Sequence, residues 1–265
     1  MPSQVIVNAD DFGLDACTNA VILHAFQAGL LSSATAMANM PAFAGACILA
    51  QQPLLRGRVG LHFNLTYGPA MSQAILEENR FCTAAGEFDL GIKRSALRLS
   101  RRERNAVEQE LEAQWQHCLN HGLTPSHVDS HQHVHNIWPV GEIVARFARQ
   151  QGVPIRLARN IGPNIGVTKR AYKTLLNWRL KQLCGVTADY VCTPGDVKAG
   201  LAPEHAVLEV VAHPSALGVR DFGDAYLDPG ESLKALIDLY LAGVPRVGYS
   251  TLARMAPDRG TTRTA

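Results

Sequence analysis

Gln4-Val5-Ile6-Val7-Asn8-Ala9-Asp10-Asp11-Phe12-Gly13 starts as an apolar, β-rich run and ends in two adjacent carboxylates. A dinucleotide-binding unit would follow its first strand with a glycine-rich turn, and no such fingerprint is present here. The polar residues fall instead at the carboxyl end of the strand, and the same placement recurs along the chain. Residues 59–65 read as a strand around His62. Residues 127–130 read as a strand that runs into His131-Gln132-His133-Val134-His135. Residues 207–212 read as a strand that stops at His213-Pro214. Polar clusters at the ends of four strands are how a (β/α) barrel builds a site on one face.

Between these strands the pattern predicts helices over 15–28, 43–51, 100–122, 139–151, 168–184 and 231–242. Further strands are predicted over 33–38, 155–158 and 245–249. Ser100 and Glu103 have capping-box spacing, and Val107, Leu111, Trp115 and Leu119 repeat every four residues. Residues 66–99 lack a period, as binding loops and lids often do. Serial β-α units predict a parallel sheet with right-handed crossovers. With no internal repeat or linker, the expectation is a single α/β barrel domain over 1–253 and a polar tail over 254–265.

The chain has 265 residues, of which 47% are hydrophobic and 18% charged, which excludes a disordered protein. Its length lets it bury roughly 70–75% of the unfolded surface without a disulfide or metal staple. A net charge of +2 gives no argument for nucleic acid. The pattern shows no secretion signal and no apolar run of about 18 residues, the length that would predict a transmembrane segment. Six scattered cysteines form no C-x-x-C pair. A reduced, cytoplasmic protein is expected. The positive charge is uneven. Residues 143–188 contain no acid but include Arg146, Arg149, Arg156, Arg159, Lys169, Arg170, Lys173, Arg179 and Lys181. Such a block reads as a solvated helix face, or as a contact for an anionic ligand, lipid headgroups or an acidic partner.

Asp10 and Asp11 would repel unless a cation or a proton intervened. A divalent metal resolves this if one carboxylate ligates it and the other stays free as a base. The competing reading is a helix cap, a role that Asp15 fills better. In an extended chain His127, Asp129, His131, His133 and His135 share one face, which would make a poor core. Positions four apart on a strand are separated by about 13 Å, so these histidines cannot all bind one ion. His62 alone is as readily a core histidine, and gains weight by completing an Asp/His/His set. His213 is held extended by Pro214. Two histidines and a carboxylate suit a catalytic metal with open positions. Imidazole favours zinc, while magnesium prefers oxygen. A second carboxylate that accepts a proton fits metal-assisted hydrolysis. No nucleophile elbow, P-loop, H-E-x-x-H or kinase signature competes.

Asn8-Ala9-Asp10-Asp11-Phe12-Gly13-Leu14, the segment 33–41, Val59-Gly60-Leu61-His62, the segment 127–135 and His213-Pro214 together resemble the YdjC/ChbG carbohydrate deacetylases. The order holds over residues 4–250. The resemblance implies a deformed TIM-like barrel and a divalent-metal hydrolase that releases acetate from an N-acetylated sugar, an N-acetylglucosamine-type oligosaccharide or glycoconjugate. It implies Asp11, His62 and His131 as metal ligands and Asp10 as general base. His213 becomes the acid or oxyanion partner. His133 and His135 receive no firm role, although His133 could replace a ligand. Family members are described with magnesium, so the expected cofactor is one divalent ion, Mg or Zn. Residues 66–99 and 156–200 depart from the chitooligosaccharide-type members. Substrate identity is expected there, with the basic helix meeting an anionic or lipid-linked sugar. The resemblance is also compatible with a homodimer. Two other classes use the same residues: a phosphoester hydrolase and a non-catalytic sugar-binding protein.

Overall fold

Apolar strands buried on both faces need helical cover, and the chain supplies it by alternating the two. The computed structural model describes residues 1–163 and 165–255. β1 (Gln4–Phe12), β2 (Ser33–Ala36), β3 (Val59–Phe63), β4 (Val128–Ser130), β5 (Tyr190–Cys192) and β6 (Val207–Ala212) form one sheet in the order β4-β3-β2-β1-β6-β5. Every pair is parallel. A short antiparallel hairpin, β7 (Pro214–Ala216) with β8 (Phe222–Asp224), follows β6. The helices are α1 (Ala16–Gln27), α2 (Phe43–Ala50), α3 (Gln73–Leu76), α4 (Arg101–Asn120), α5 (Trp138–Gln151), α6 (Val167–Cys184), α7 (Pro194–Lys198), α8 (Leu233–Tyr240) and α9 (Tyr249–Met255).

Local chemistry sets the boundaries. The Asp15 side chain accepts the Thr18 N–H and caps α1, which leaves Asp10 and Asp11 free of that task. Ser100 and Glu103 form the expected capping box at α4. Gly152 and Gly185 end α5 and α6 in the left-handed conformation.

The sheet curls into a half-barrel, a deformed TIM-like form of a single α/β domain. Residues 154–158 lie between its two edges. Ile155 bridges Val128 beside β4, and its N–H reaches the Val186 carbonyl near β5. This segment and 245–249, both expected as strands, are reduced to single bridges. Pro154 and Pro245 lack the N–H that a longer ladder needs, and Tyr249 already enters α9.

The extended reading of 127–135 also ends early. From His131 to Asn136 the chain makes a tight 3₁₀ turn, with Gln132 (φ 47°) and His133 (φ 54°) left-handed. Two-residue alternation therefore stops at Ser130. His135 folds back beneath Ser130, whose Oγ lies 2.5 Å from its Nδ1. α9 runs through Met255, and residues 256–265 of the expected tail lie outside the described residues. No described helix is long and apolar enough to cross a membrane.

Candidate functional site

Successive strand residues point to opposite faces, so neighbouring aspartates should diverge. A bulge in β1 prevents this. Between the pairs Ala9–Ala34 and Phe12–Ala36, β1 spends one residue more than β2. Asp11 sits at φ 65° in that bulge. Both carboxylates consequently face the same space, with Asp10 Oδ2 and Asp11 Oδ2 at 3.9 and 3.8 Å from His213 Nε2.

Parallel strands bring all their carboxyl ends to one edge, and the expected ligands meet there. Asp11 Oδ1 lies 3.2 Å from His62 Nε2 and 2.9 Å from His131 Nδ1. One ligand atom from each of the three residues falls within 4.8 Å of the other two. His62 is aimed by its neighbour in register: Asp129 stands opposite it across β3 and β4, and the His62 Nδ1–H donates to Asp129 Oδ1 at 2.6 Å. The Thr35 hydroxyl donates to the other Asp129 oxygen at 2.9 Å. The Asp129 contact at Nδ1 orients the His62 ring and turns Nε2 toward Asp11. Burial opposes a charge on His62, yet Asp129 and Asp10, with hydrogen bonds to Asp11 and Asp129, push its pKa up to about 10. Burial likewise opposes the Asp11 carboxylate, but hydrogen bonds from His131 and His62 hold it well below the usual range.

Arg156 occupies the barrel interior and is fully buried. Its Nη1 and Nη2 donate to the two oxygens of Asp10 at 2.7 Å each. Its Nη1 also lies 2.7 Å from Asp129 Oδ2, and its Nε donates to Glu209 Oε1 at 2.6 Å. The second Glu209 oxygen accepts the Tyr249 hydroxyl. This corrects the reading of the basic block as one solvated face: Arg156 follows Ile155 in the closing segment and points inward. Half of the other eight members pair with acids outside the block, Lys181 with Asp189 at 4.0 Å among them. Arg146 and Arg179 reach Glu142, and Arg159 binds Asp196. The signal for Arg156 was present in the sequence, as an arginine flanked by apolar residues. Glu209, alone in an apolar strand, carried the same kind of signal.

Asp10 is thus a buried carboxylate with a defined free position. Oδ1 accepts from Arg156 and from Asn8 Nδ2 at 2.9 Å, whereas Oδ2 accepts from Arg156 alone and faces His213. Burial would raise its pKa, but Arg156, His62 and His213 outweigh that and keep it ionised. His213 is positioned by its backbone N–H, which donates to Asp224 Oδ2 at 2.6 Å, and by the Tyr226 ring at 5.2 Å. Tyr226 gave no sign in the sequence.

A cleft of about 690 Å³ opens beside this cluster. Arg94 and Ser95 from the aperiodic segment 66–99 form one wall, and Arg159, Lys169, Tyr172 and Lys173 form another. Gln132, His133 and Tyr226 line it nearest the cluster, and no carboxylate among the described residues lines it. Burial, Lys169 and Arg159 push Lys173 down to about 8. Burial and Arg156 push His133 down to about 3, so it is neutral. His135 is buried away from the ligand set.

The model of the YdjC-like protein family matches residues 4–224. The chain belongs to the YdjC-like family. Among YdjC-like relatives, a carbohydrate deacetylase of Geobacillus stearothermophilus is 37% identical over 218 residues, covering 76% of this chain and 83% of that protein. A chitooligosaccharide deacetylase of Klebsiella pneumoniae (strain 342) is 32% identical over 231 residues, covering 86% and 88%. A crystal structure of a protein from Enterococcus faecalis V583 superposes with a TM-score of 0.68 over 95% of this chain and 99% of that one. At 21% identity that likeness speaks to the fold alone.

Proposed function

We propose that this protein is a metal-dependent N-deacetylase that removes acetyl from an N-acetylated sugar and releases acetate and a free amine. The observation that carries the reading is the meeting of Asp11, His62 and His131 beside Asp10, next to a cleft of about 690 Å³ that Gln132 and His133, the residues after His131, help to line. The names of the YdjC-like relatives, carbohydrate and chitooligosaccharide deacetylases, support the substrate class.

The residues fit a divalent cation. Asp10, Asp129 and Glu209 share one permanent charge, that of Arg156, and the Asp11 carboxylate has histidines as its partners, so the cluster has an excess of carboxylate. His62 and His131 both aim ring nitrogens at the same oxygen of Asp11. Asp11, His62 and His131 would hold the ion. When bound, it polarises the acetamide carbonyl and makes water acidic enough to deprotonate near neutral pH.

The protein groups supply the proton traffic. Asp10 Oδ2 keeps an unused lone pair and accepts the proton of the attacking water, while Arg156 and Asn8 hold the carboxylate in place. Arg156, His62 and His213 keep Asp10 in the carboxylate form that can accept a proton. His213 Nε2 stands 3.9 and 3.8 Å from the two aspartates, near enough to act on a group bound beside them. His213 Nε2 would steady the developing oxyanion or pass a proton to the leaving amine. The carboxylate-free cleft favours an acetylated sugar that also carries negative charge.

The test is product analysis with a panel of N-acetylated sugars, neutral and phosphorylated, and with simple phosphoesters. Acetate release from the sugars supports the reading. Release of phosphate without acetate assigns the site to phosphoester hydrolysis. No product from any substrate by fully metal-loaded protein leaves a binding role.

A further inference from the structure

Helix α6 has a face that packing does not use. Its buried residues Leu176, Asn177, Leu180 and Cys184 turn toward the body of the protein. On another side, Val167, Ala171, Leu175 and Trp178 form a stripe at spacings of four, four and three. Val167 is 86% exposed, Leu175 55% and Trp178 57%. By the helical period, Arg170 and Lys181 flank one side of this stripe and Arg179 the other. The helix has five basic residues and no acid. Arg179 reaches Glu142, and Lys181 lies 4.0 Å from Asp189. Among the described residues, Lys169 and Arg170 have no carboxylate within ion-pair distance.

We propose that this face of α6 docks on the surface of an anionic lipid bilayer. An apolar stripe bearing a tryptophan, with cations on its flanks, is the pattern of a helix that lies in a membrane interface. The basic flanks complement anionic headgroups, and the aliphatic stems of the lysines and arginines extend the apolar contact. A second copy of the chain is the poorer occupant. A two-fold contact sets the same patch against itself, and here that brings cations against cations. The attachment is peripheral, since no described helix can cross a membrane.

The same helix supplies Thr168, Lys169, Tyr172 and Lys173 to the wall of the cleft. Thr168 adjoins the stripe, and Lys169, Tyr172 and Lys173 turn to the other side of the helix, so docking sets the cleft about one helix width from the lipid surface. Taken with the deacetylase reading, on which this corollary rests, the substrate is a sugar borne on a membrane lipid.

The experiment is co-sedimentation of the full chain with vesicles, read without reference to activity. Wild type pellets with vesicles of phosphatidylcholine and phosphatidylglycerol at low salt and stays in solution with pure phosphatidylcholine. High salt releases it. Trp178→Glu and Leu175→Glu lower partitioning about tenfold, and Arg170→Glu lowers it roughly fivefold. Trp178→Glu and Leu175→Glu retain the melting temperature and the release of acetate from a soluble N-acetylated oligosaccharide. Vesicle binding by a protein that releases no acetate keeps the docking face and removes only the corollary. Wild type that stays in solution with anionic vesicles overturns the proposal. So does a dimer in sedimentation velocity that Trp178→Glu dissociates, because the face then joins two copies.

Discussion

Arg156→Met removes the guanidinium that bridges Asp10, Asp129 and Glu209 in the barrel interior. Breaking a buried ion pair from one side costs about 3–5 kcal/mol, because the remaining charge stays unpaired. Urea unfolding should show a loss of that size. Asp10→Asn removes the proton acceptor but keeps the shape and most hydrogen bonds. Turnover should fall about 10²–10⁴-fold while elemental analysis finds metal retained. His131→Ala should lose the metal together with turnover. Glu209 adds a pH dependence. Burial, only partly offset by Arg156, raises its pKa from 4.5 to about 7. Between these values the folded protein holds a proton that the unfolded chain has released. This contribution to stability is full below pH 4.5 and is lost as pH rises through about 7, a change of up to about 3 kcal/mol. Glu209→Gln should flatten that slope in urea titrations of chelated protein.

At the scale of elements, β3 is the tightest seat in the site. A Cβ on Gly60 would stand 2.5 Å from His127 Nδ1 and 2.6 Å from the His127 carbonyl, and His62 is two residues further on. Gly60→Ala should cost about 1–3 kcal/mol in thermal unfolding and weaken metal binding as β3 shifts. Elements also explain what the sequence could reveal. Asp11, His62, His131 and His213 were legible because each stands at or just past the carboxyl end of an apolar strand, and parallel strands must bring those ends together. The bulge that turns Asp10 beside Asp11 was not legible, since alternation alone predicts opposite faces. The segment from His131 to Asn136 defeated the same alternation when Gln132 and His133 turned left-handed. β5, at Tyr190–Cys192, is too short to show a period. Arg156 was hidden by its company, because a count of charges cannot tell a buried guanidinium from eight nearer the surface.

At the scale of the whole molecule, the fold is a curled parallel sheet whose interior is charged. A packed barrel would fill that space with branched apolar side chains. Here Asp10, Asp129, Arg156 and Glu209 occupy it, all buried. This arrangement ties the stability of the barrel to the site at its rim. A cation held by Asp11, His62 and His131 would relieve the excess of carboxylate, so binding should raise the melting temperature in proportion to the logarithm of free metal. The central claim is that the site works through that cation. It is tested most directly by measuring acetate release from an N-acetylated oligosaccharide before chelation, after chelation and after reloading with zinc or magnesium. The account predicts release that stops on chelation and returns on reloading. Acetate release that continues unchanged in the chelated protein, with elemental analysis showing no bound metal, would contradict it.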